Sequence, residues 1–507
     1  MPVRRLALLV IVAGLMLGSL AISGGYAWYL RGHAYRARCA AVLSRRLGLP
    51  ADIGAVAPLS RTARQFRDVV VWLPQRRGRA LTCQRAIVAG APRADDPNAY
   101  ELRLEGGWCE ISTRTWLRED YRGVVESGLR SGFAPGGPER VMFTAMEVSF
   151  ERDGFRATLA EAAGRIDFTG PGRASIACPV FNGFRSERPM VIAASFSPLN
   201  GGIRIDRLDL SVPELPVRVA GLRELLGVPL VAGTFDGQLV YEEQEPGWRL
   251  TVSGRCRELE LPECTAGFTP TPWRGRCPEI ELQELRVENG RPTRLRFRGR
   301  LTDVALGDLL ATWGLPGAAG TLTLEVGSAD IAPEGVARFV ASGTGSGVAL
   351  EPLTAALGWG TMSGTLDLTI GDLTIEHSRL KSLDALVRVA PAPPAPDAAG
   401  TAGWIEGRLV RELVRRTLKF DLPALLPERI AYTRLGLRLE VRDEVLYVFG
   451  THGEREKTIL TVRLMDQDLP LIFEPQHSFD LRPLLDGLRA QLRHRLGERI
   501  DNLPDGL

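Results

Sequence analysis

Three stretches of the chain decide its fold: Arg249–Gly254 (RLTVSG), Arg294–Gly299 (RLRFRG) and Arg338–Gly343 (RFVASG). They align without gaps, and their final glycines are 45 and 44 residues apart. Two apolar residues follow each glycine at fixed offsets of five and seven: Leu259 and Leu261, Val304 and Leu306, Val348 and Leu350. Evenly spaced copies of one pattern indicate a repeat architecture.

A second pattern keeps the same period. Gly320 and Gly364 begin GTLTL and GTLDL, and each follows a short segment with helical composition, residues 307–314 (GDLLATWG) and 351–358 (EPLTAALG). The first copy has a Pro/Gly-rich loop after Leu261 in place of this helix. The pattern predicts a unit of strand, turn, strand, glycine kink, strand and short helix. Because glycine tolerates bends and backbone angles that other residues avoid, the predicted kinks are Gly254, Gly299 and Gly343.

The predicted strands alternate between apolar and polar residues. In GTLTLEV, for example, Leu322 and Leu324 point to one side of the strand and Thr321 and Thr323 to the other. This alternation predicts a sheet with one apolar and one hydrated face. Two packings satisfy it, a closed sandwich core or an open groove that holds apolar cargo. The predicted lining of a lipid groove is Leu250, Val252, Leu295, Phe297, Leu322, Leu324, Leu366 and Leu368.

The composition excludes some classes of function. The chain has 507 residues, of which 63 are Lys or Arg and 60 are Asp or Glu, so the net charge is only +3. Such a balance gives no field to hold a polyanion, and nucleic acid is not an expected partner. The five histidines are scattered, and no HExxH, GxSxG or Walker A pattern occurs. We predict no catalytic residues, no metal site and no cofactor; the protein is not expected to be an enzyme.

The N-terminus predicts a membrane anchor. Residues 6–30 carry no charge, and this length exceeds the roughly 20 residues that cross a bilayer core. Residues 1–5 would then be cytoplasmic and the remainder extracytoplasmic. A cleaved signal peptide is the alternative. More arginines follow the span than precede it, which opposes this orientation under the positive-inside rule.

The seven cysteines form no CxxC pair. Cys264 and Cys277 bracket the Pro/Gly-rich loop, and Cys83 and Cys109 lie in segments with the pattern of neighbouring strands. These two pairs are the candidate disulfides, and buried free thiols are the alternative.

We predict a mainly β fold: an N-terminal transmembrane helix, an elongated, curved antiparallel β-sheet with short connecting helices, and a C-terminal amphipathic helix. The last helix is predicted over Leu481–Ile500, where leucines recur at helical spacing. The predicted regions after the anchor are a β-rich segment, the repeats, a Pro/Ala linker and a C-terminal β region: 31–200, 201–389, 390–403 and 404–507.

This layout resembles the AsmA-like family of bacterial envelope proteins. The resemblance rests on the single span, on residues 51–74 (ADIGAVAPLSRTARQFRDVVVWLP), on the GT[FL] strand starts and on the LLG-type helix ends. It implies an inner-membrane anchor, a periplasmic body and an apolar β-groove that carries membrane lipid, such as phospholipid. The expected role is lipid transport or outer-membrane and envelope biogenesis. The alternatives are an assembly protein that binds an envelope protein partner and a polysaccharide-binding module.

Overall fold

The structure is a computed structural model. It describes residues 29, 32–47, 49–73, 78–91, 99–112, 137–152, 155–199, 202–220, 231–244, 247–265, 272–289, 291–311, 319–357, 360–390, 403–418, 427–464 and 467–480. The predicted span over residues 6–30, except Tyr29, lies outside this set, as do the linker residues 391–402 and the helix predicted over Leu481–Ile500. Among the helices that are described, none has the length and apolarity needed to cross a bilayer.

The chain divides into two compact units. Unit 1 comprises Met1–Leu215, Val219–Gly221 and Gln238–Leu250, and unit 2 comprises Pro216–Arg218, Leu222–Gly237 and Thr251–Leu507. The chain passes between the units more than once over residues 215–251.

Unit 1 begins with a helix and continues as strands. Its elements are α1 (His33–Leu47), β1 (Ala51–Pro58), β2 (Ala63–Trp72), β3 (Arg79–Gly90), β4 (Tyr100–Ser112), β5 (Pro138–Arg152), β6 (Phe155–Asp167), β7 (Gly172–Phe181), β8 (Phe184–Leu199) and β9 (Gly202–Pro216).

Consecutive strands of unit 1 pair with each other. All these pairs are antiparallel except β4–β5, which runs parallel, with Leu102 opposite Val141 and Leu104 opposite Phe143. The predicted antiparallel pairing therefore does not extend to β4 and β5. A parallel pair needs a crossover of a dozen or more residues, and the chain supplies it between β4 and β5.

Helix α1 covers the start of this sheet. Leu43 packs against two buried clusters, one around Leu49 and Val71 and the other around Val69 and Cys83. In addition, Arg36 Nη1 donates to the Gly54 carbonyl of β1 at 2.6 Å. The helix thus shields the outer edge of β1, which would otherwise present unpaired backbone groups.

Four of the described elements cross the division between the units. They are β9, whose last residue Pro216 belongs to unit 2, the short helix α2 (Val217–Ala220), β10 (Thr234–Gln244) and β11 (Gly247–Glu260). The remaining elements belong to unit 2. They are α3 (Leu261–Thr265), β12 (Arg276–Glu288), β13 (Arg291–Ala305), α4 (Leu306–Ala311), β14 (Thr321–Ala332), β15 (Gly335–Ala349), α5 (Leu350–Leu357), β16 (Thr365–Glu376), β17 (Arg379–Ala390), β18 (Trp404–Glu406), α6 (Gly407–Leu418), β19 (Arg429–Arg442), β20 (Val445–Gly450), a 3₁₀ turn (Glu454–Glu456), β21 (Thr458–Leu464), β22 (Gln467–Phe473) and β23 (Phe479–Asp480).

The strands of unit 2 form an antiparallel ladder. Each strand from β12 to β17 pairs with the next, and β17 pairs with β19. Strand β19 also pairs with β18, β20 and β21, and β22 and β23 extend the ladder from β21 and β20. The mainly β, antiparallel architecture predicted from the alternating pattern is confirmed here.

One backbone contact recurs in every repeat. The first helical residue donates its amide proton to the carbonyl of the glycine that precedes the next strand: Val217 to Gly233 at 2.9 Å, Leu261 to Gly275 at 3.0 Å, Leu306 to Gly320 at 3.0 Å, and Leu350 to Gly364 at 3.1 Å. The four donors are separated by 44, 45 and 44 residues. The repeated β architecture is therefore present. The expectation that the first copy lacks a helix is wrong, because α3 occupies that place. The sequence LPECT did not predict this helix, because it is short, contains a proline and is followed by a Pro/Gly-rich loop.

Candidate functional site: the apolar face of unit 2

Cross-strand pairing places the apolar residues of β13 to β17 on one side of the sheet, which we call the apolar face. Phe297 stands opposite Ala329, and Leu324 opposite Leu301. Farther along, Leu368 stands opposite Val387. Directly paired residues share a face of an antiparallel sheet, so these contacts extend from strand to strand.

Bulges keep the pattern on this face where simple alternation would break. In β14 the apolar residues Val326 and Ala329 are three apart, which would place them on opposite sides of a regular strand. A register shift between Val326 and Ser328 absorbs the extra residue. Another shift, between Ile370 and Asp372 of β16, does the same 44 residues later. Glycines lie at both shifts, Gly327 and Gly371.

The predicted kink glycines lie where neighbouring strands approach closely. A Cβ added at Gly254 would lie 2.4 Å from the Asp236 carbonyl oxygen, and one at Gly299 would lie 2.4 Å from that of Glu279. At Gly343 the corresponding distance, to the Thr323 carbonyl oxygen, is 2.2 Å. In each case the obstacle is the backbone of the preceding strand, so any side chain would force the two strands apart.

On the apolar face, the small side chains are more deeply buried than the large ones. The small residues Val326, Ala329 and Ala341 are buried, with 2%, 2% and 3% exposure. The larger Phe297 and Leu324 are only half-buried. In a closed core the largest apolar side chains gain most from leaving water, because the gain scales with apolar area. Here the small residues form a shielded floor and the large ones project from it with part of their surface still exposed.

The opposite face carries ion pairs between strands. Arg294 donates to both carboxylate oxygens of Asp330, at 3.0 and 2.8 Å, and Arg438 does the same to Asp384 at 2.8 and 2.9 Å. The hydrogen bonds from Arg294 hold the pKa of Asp330 below its usual value. These exposed pairs contribute little stability, but they mark this face as the hydrated one.

The apolar face is closed where β16 and β17 approach α6. A buried cluster there includes Ile405 of β18, Leu409 and Val410 of α6, and Tyr432 of β19, and Leu366 packs against it. The Tyr432 hydroxyl donates to the Ser363 carbonyl at 2.5 Å, and burial raises the pKa of Tyr432 to about 12. Protein side chains therefore fill the space over this part of the face.

The eight residues predicted to line a groove have three different environments. Leu250 belongs to unit 1, and Val252 is almost fully buried, at 1% exposure. The other six lie on the apolar face of unit 2 and are half-buried: Leu295, Phe297, Leu322, Leu324, Leu366 and Leu368.

Sequence reasoning missed further residues of the same face. Phe339 and Ile375 lie there as a cross-strand pair, and Ile331 stands opposite both Leu295 and Val336. The available signal was the glycine inside GTLTLEVG and GTLDLTIG, since an isolated glycine in a strand often marks a bulge.

None of the seven cysteines is in a disulfide. Cys83 stands opposite Gly107 and Cys109 opposite Leu81, so this pair is diagonal across β3 and β4. The Cys83 thiol donates to the Arg85 carbonyl at 3.0 Å. Cys264 and Cys277 are adjacent, with their thiols hydrogen-bonded to each other. Within the described residues, no group of three or more His, Cys, Asp or Glu side chains is arranged to hold a metal ion.

No family model matches the sequence, and no curated protein matches it. The resemblance to the AsmA-like family stays a prediction from layout and local motifs.

Proposed function

We propose that this chain is a membrane-anchored cell-envelope protein whose apolar face in unit 2 binds the acyl chains of membrane lipid, in lipid transport or envelope biogenesis. The observation that carries the proposal is the inverted burial of that face. Half-exposed Phe and Leu side chains over a floor of small residues leave apolar surface that a further apolar partner can cover.

The energetics favour an acyl chain as that partner. Each methylene that leaves water contributes about 0.8 kcal/mol, so even six methylenes would contribute about 5 kcal/mol before the entropic cost of binding. Such binding needs no polar group at fixed positions. This suits a face on which Leu, Phe, Ile and Val occupy equivalent positions in successive repeats.

A photocrosslinking experiment tests this function. The full chain is purified in detergent with p-benzoylphenylalanine replacing either Leu324 or its neighbour Glu325, which points to the hydrated face and is exposed. Irradiation followed by mass spectrometry should give a lipid adduct at position 324 and little at 325. Because both proteins carry the same predicted anchor, lipid held at the anchor contributes equally to both.

Equal labelling at the two positions, or none at 324, would contradict lipid binding on the apolar face. Crosslinks from position 324 to another protein would favour the assembly role. Retention of the wild-type chain on envelope polysaccharide, with no lipid adduct, would favour the polysaccharide-binding role.

The proposed topology is tested separately. Residues 31–507 are proposed to lie outside the cytoplasm, so a phosphatase reporter that is active only there should be active when fused after Leu507. A fluorescent reporter that folds only in the cytoplasm should stay dark at the same position. The reverse result would overturn the periplasmic location without bearing on lipid binding.

A further inference from the structure

Three cysteines converge in the first repeat of unit 2. Cys256 lies on β11, Cys264 on α3 and Cys277 at the start of β12. Cys277 is almost fully buried, at 1% exposure, and its thiol is hydrogen-bonded to that of Cys264. Cys256 lies near both, because the charge of Cys264 raises the pKa of Cys256 and the charge of Cys256 raises the pKa of Cys277. The three thiols therefore form one cluster, drawn from three elements.

The other repeats show that these positions do not require cysteine. Aligning the copies on the kink glycine places Cys256 at the position of Leu301 and Gly345. Aligning the copies on the first helical residue relates Cys264 to Leu309 and Leu353. Aligning them on the glycine before the next strand relates Cys277 to Leu322 and Leu366. The second copy thus has leucine at all three positions. An apolar residue satisfies the fold at these places, and packing alone does not account for three thiols.

We propose that Cys264 and Cys277 form a thiol–disulfide site that fastens α3 to β12, with the disulfide of an oxidising dithiol protein or of oxidised glutathione as co-reactant. Cys256 remains a thiol. The Cys264 thiolate attacks the disulfide of the co-reactant, and one thiol of the co-reactant leaves. Cys277, as its thiolate, then attacks the mixed disulfide at the Cys264 sulfur. The two cysteines lose two electrons and two protons in total, and the co-reactant gains both electrons as two thiols.

The environments of the three sulfurs favour this pairing over the two others. The hydrogen bond from Cys277 lowers the pKa of Cys264, against the opposing effects of burial and of Glu260 and Glu263. Burial raises the pKa of Cys256 to about 12, which keeps it protonated and a weak nucleophile. The pKa of Cys277 is raised because its proton is shared with the Cys264 sulfur. Burial also raises the pKa of Cys277. Cys277 is the second nucleophile because its thiol is the one hydrogen-bonded to the Cys264 sulfur, so it lies next to the sulfur that it must attack.

Differential alkylation tests the proposal on the full chain. The reduced protein is incubated with oxidised glutathione, remaining thiols are alkylated, and tryptic peptides are analysed without reduction. Trypsin separates the three cysteines, because Cys256 falls in Cys256–Arg257, Cys264 in Glu258–Arg274 and Cys277 in Cys277–Arg286. We expect the last two peptides to be linked and Cys256 to be alkylated after unfolding. Cys178 is the matched control, since it is buried and its thiol donates to the Val180 carbonyl at 2.9 Å; we expect it to react about tenfold more slowly or not at all.

Leucine variants supply the second measurement, and they introduce the residue that the second repeat already contains. Cys256→Leu should keep the linked peptides, whereas Cys264→Leu and Cys277→Leu should lose them. Oxidation should increase the protection from amide hydrogen exchange of peptides that contain Cys264 or Cys277 in the wild type and in Cys256→Leu, and leave the other two variants unchanged. A link from Cys256 to either partner, a glutathione adduct on Cys264 that never resolves, or full alkylation of all three thiols after oxidation would overturn the proposal. None of these results depends on whether the apolar face binds lipid.

Discussion

Substitutions at two residues of β14 distinguish an open apolar face from a closed core. Leu324 and Val326 lie on the same face of the same strand, but Leu324 is half-buried and Val326 is 2% exposed. We expect Leu324→Asp to lose most of a leucine burial of about 2 kcal/mol, about 1.4 kcal/mol, and no more, because its carboxylate can reach water. Val326→Asp places an unpaired charge against the floor of the face, which costs about 4 kcal/mol.

Amide hydrogen exchange followed by mass spectrometry is the suitable assay, because a chain with two units need not unfold in one transition. For peptides from residues 321–349, these energies correspond to about a tenfold loss of protection in Leu324→Asp and about a thousandfold loss in Val326→Asp. Peptides from unit 1 serve as the internal control in both variants. If Leu324→Asp lost as much protection as Val326→Asp, position 324 would be part of a closed core, and the argument for an open face would fail.

Two further predictions concern single contacts. Gly299→Ala should destabilise β13 by about 1–3 kcal/mol, because the new Cβ would lie 2.4 Å from the Glu279 carbonyl oxygen; Gly327→Ala, whose nearest neighbour is 3.8 Å away, should be neutral or slightly stabilising in the same exchange experiment. Tyr432→Phe should cost about 1–2 kcal/mol by leaving the buried Ser363 carbonyl without its donor. Because the pKa of Tyr432 is raised from 10.0 to about 12, wild-type stability should fall as the pH rises between these values. This fall should be absent in Tyr432→Phe. A fall of the same size in Tyr432→Phe would contradict the role of the hydroxyl.

The strands and their repeat could be predicted from the sequence because they depend on local periodicity. Apolar and polar residues alternate with a period of two in GTLTL and GTLDL, and Gly299 and Gly343 recur at the repeat length. Six of the eight predicted lining residues lie on one face for the same reason. The short α3 was missed since five residues with a proline and a cysteine carry almost no helical signal.

Several features needed the tertiary structure, because they depend on residues far apart in the chain. The parallel pairing of β4 with β5 and the bulges at Gly327 and Gly371 depend on which strands become neighbours in the sheet. Cys264 and Cys277 were already a candidate pair in the sequence, and the structure adds the hydrogen bond between their thiols.

The sequence by itself determined that this protein builds a repetitive β-sheet with one apolar and one polar face, because successive residues of a strand point to opposite faces and the residue types alternate accordingly. Only the tertiary structure decided how each part of the apolar face is covered. Around Tyr432 the cluster of β18, α6 and β19 fills the space over the sheet, whereas Phe297 and Leu324 keep part of their surface exposed. Burial is the sum of contacts from all packed elements, and an alternating pattern is the same whether the apolar side meets protein, lipid or water.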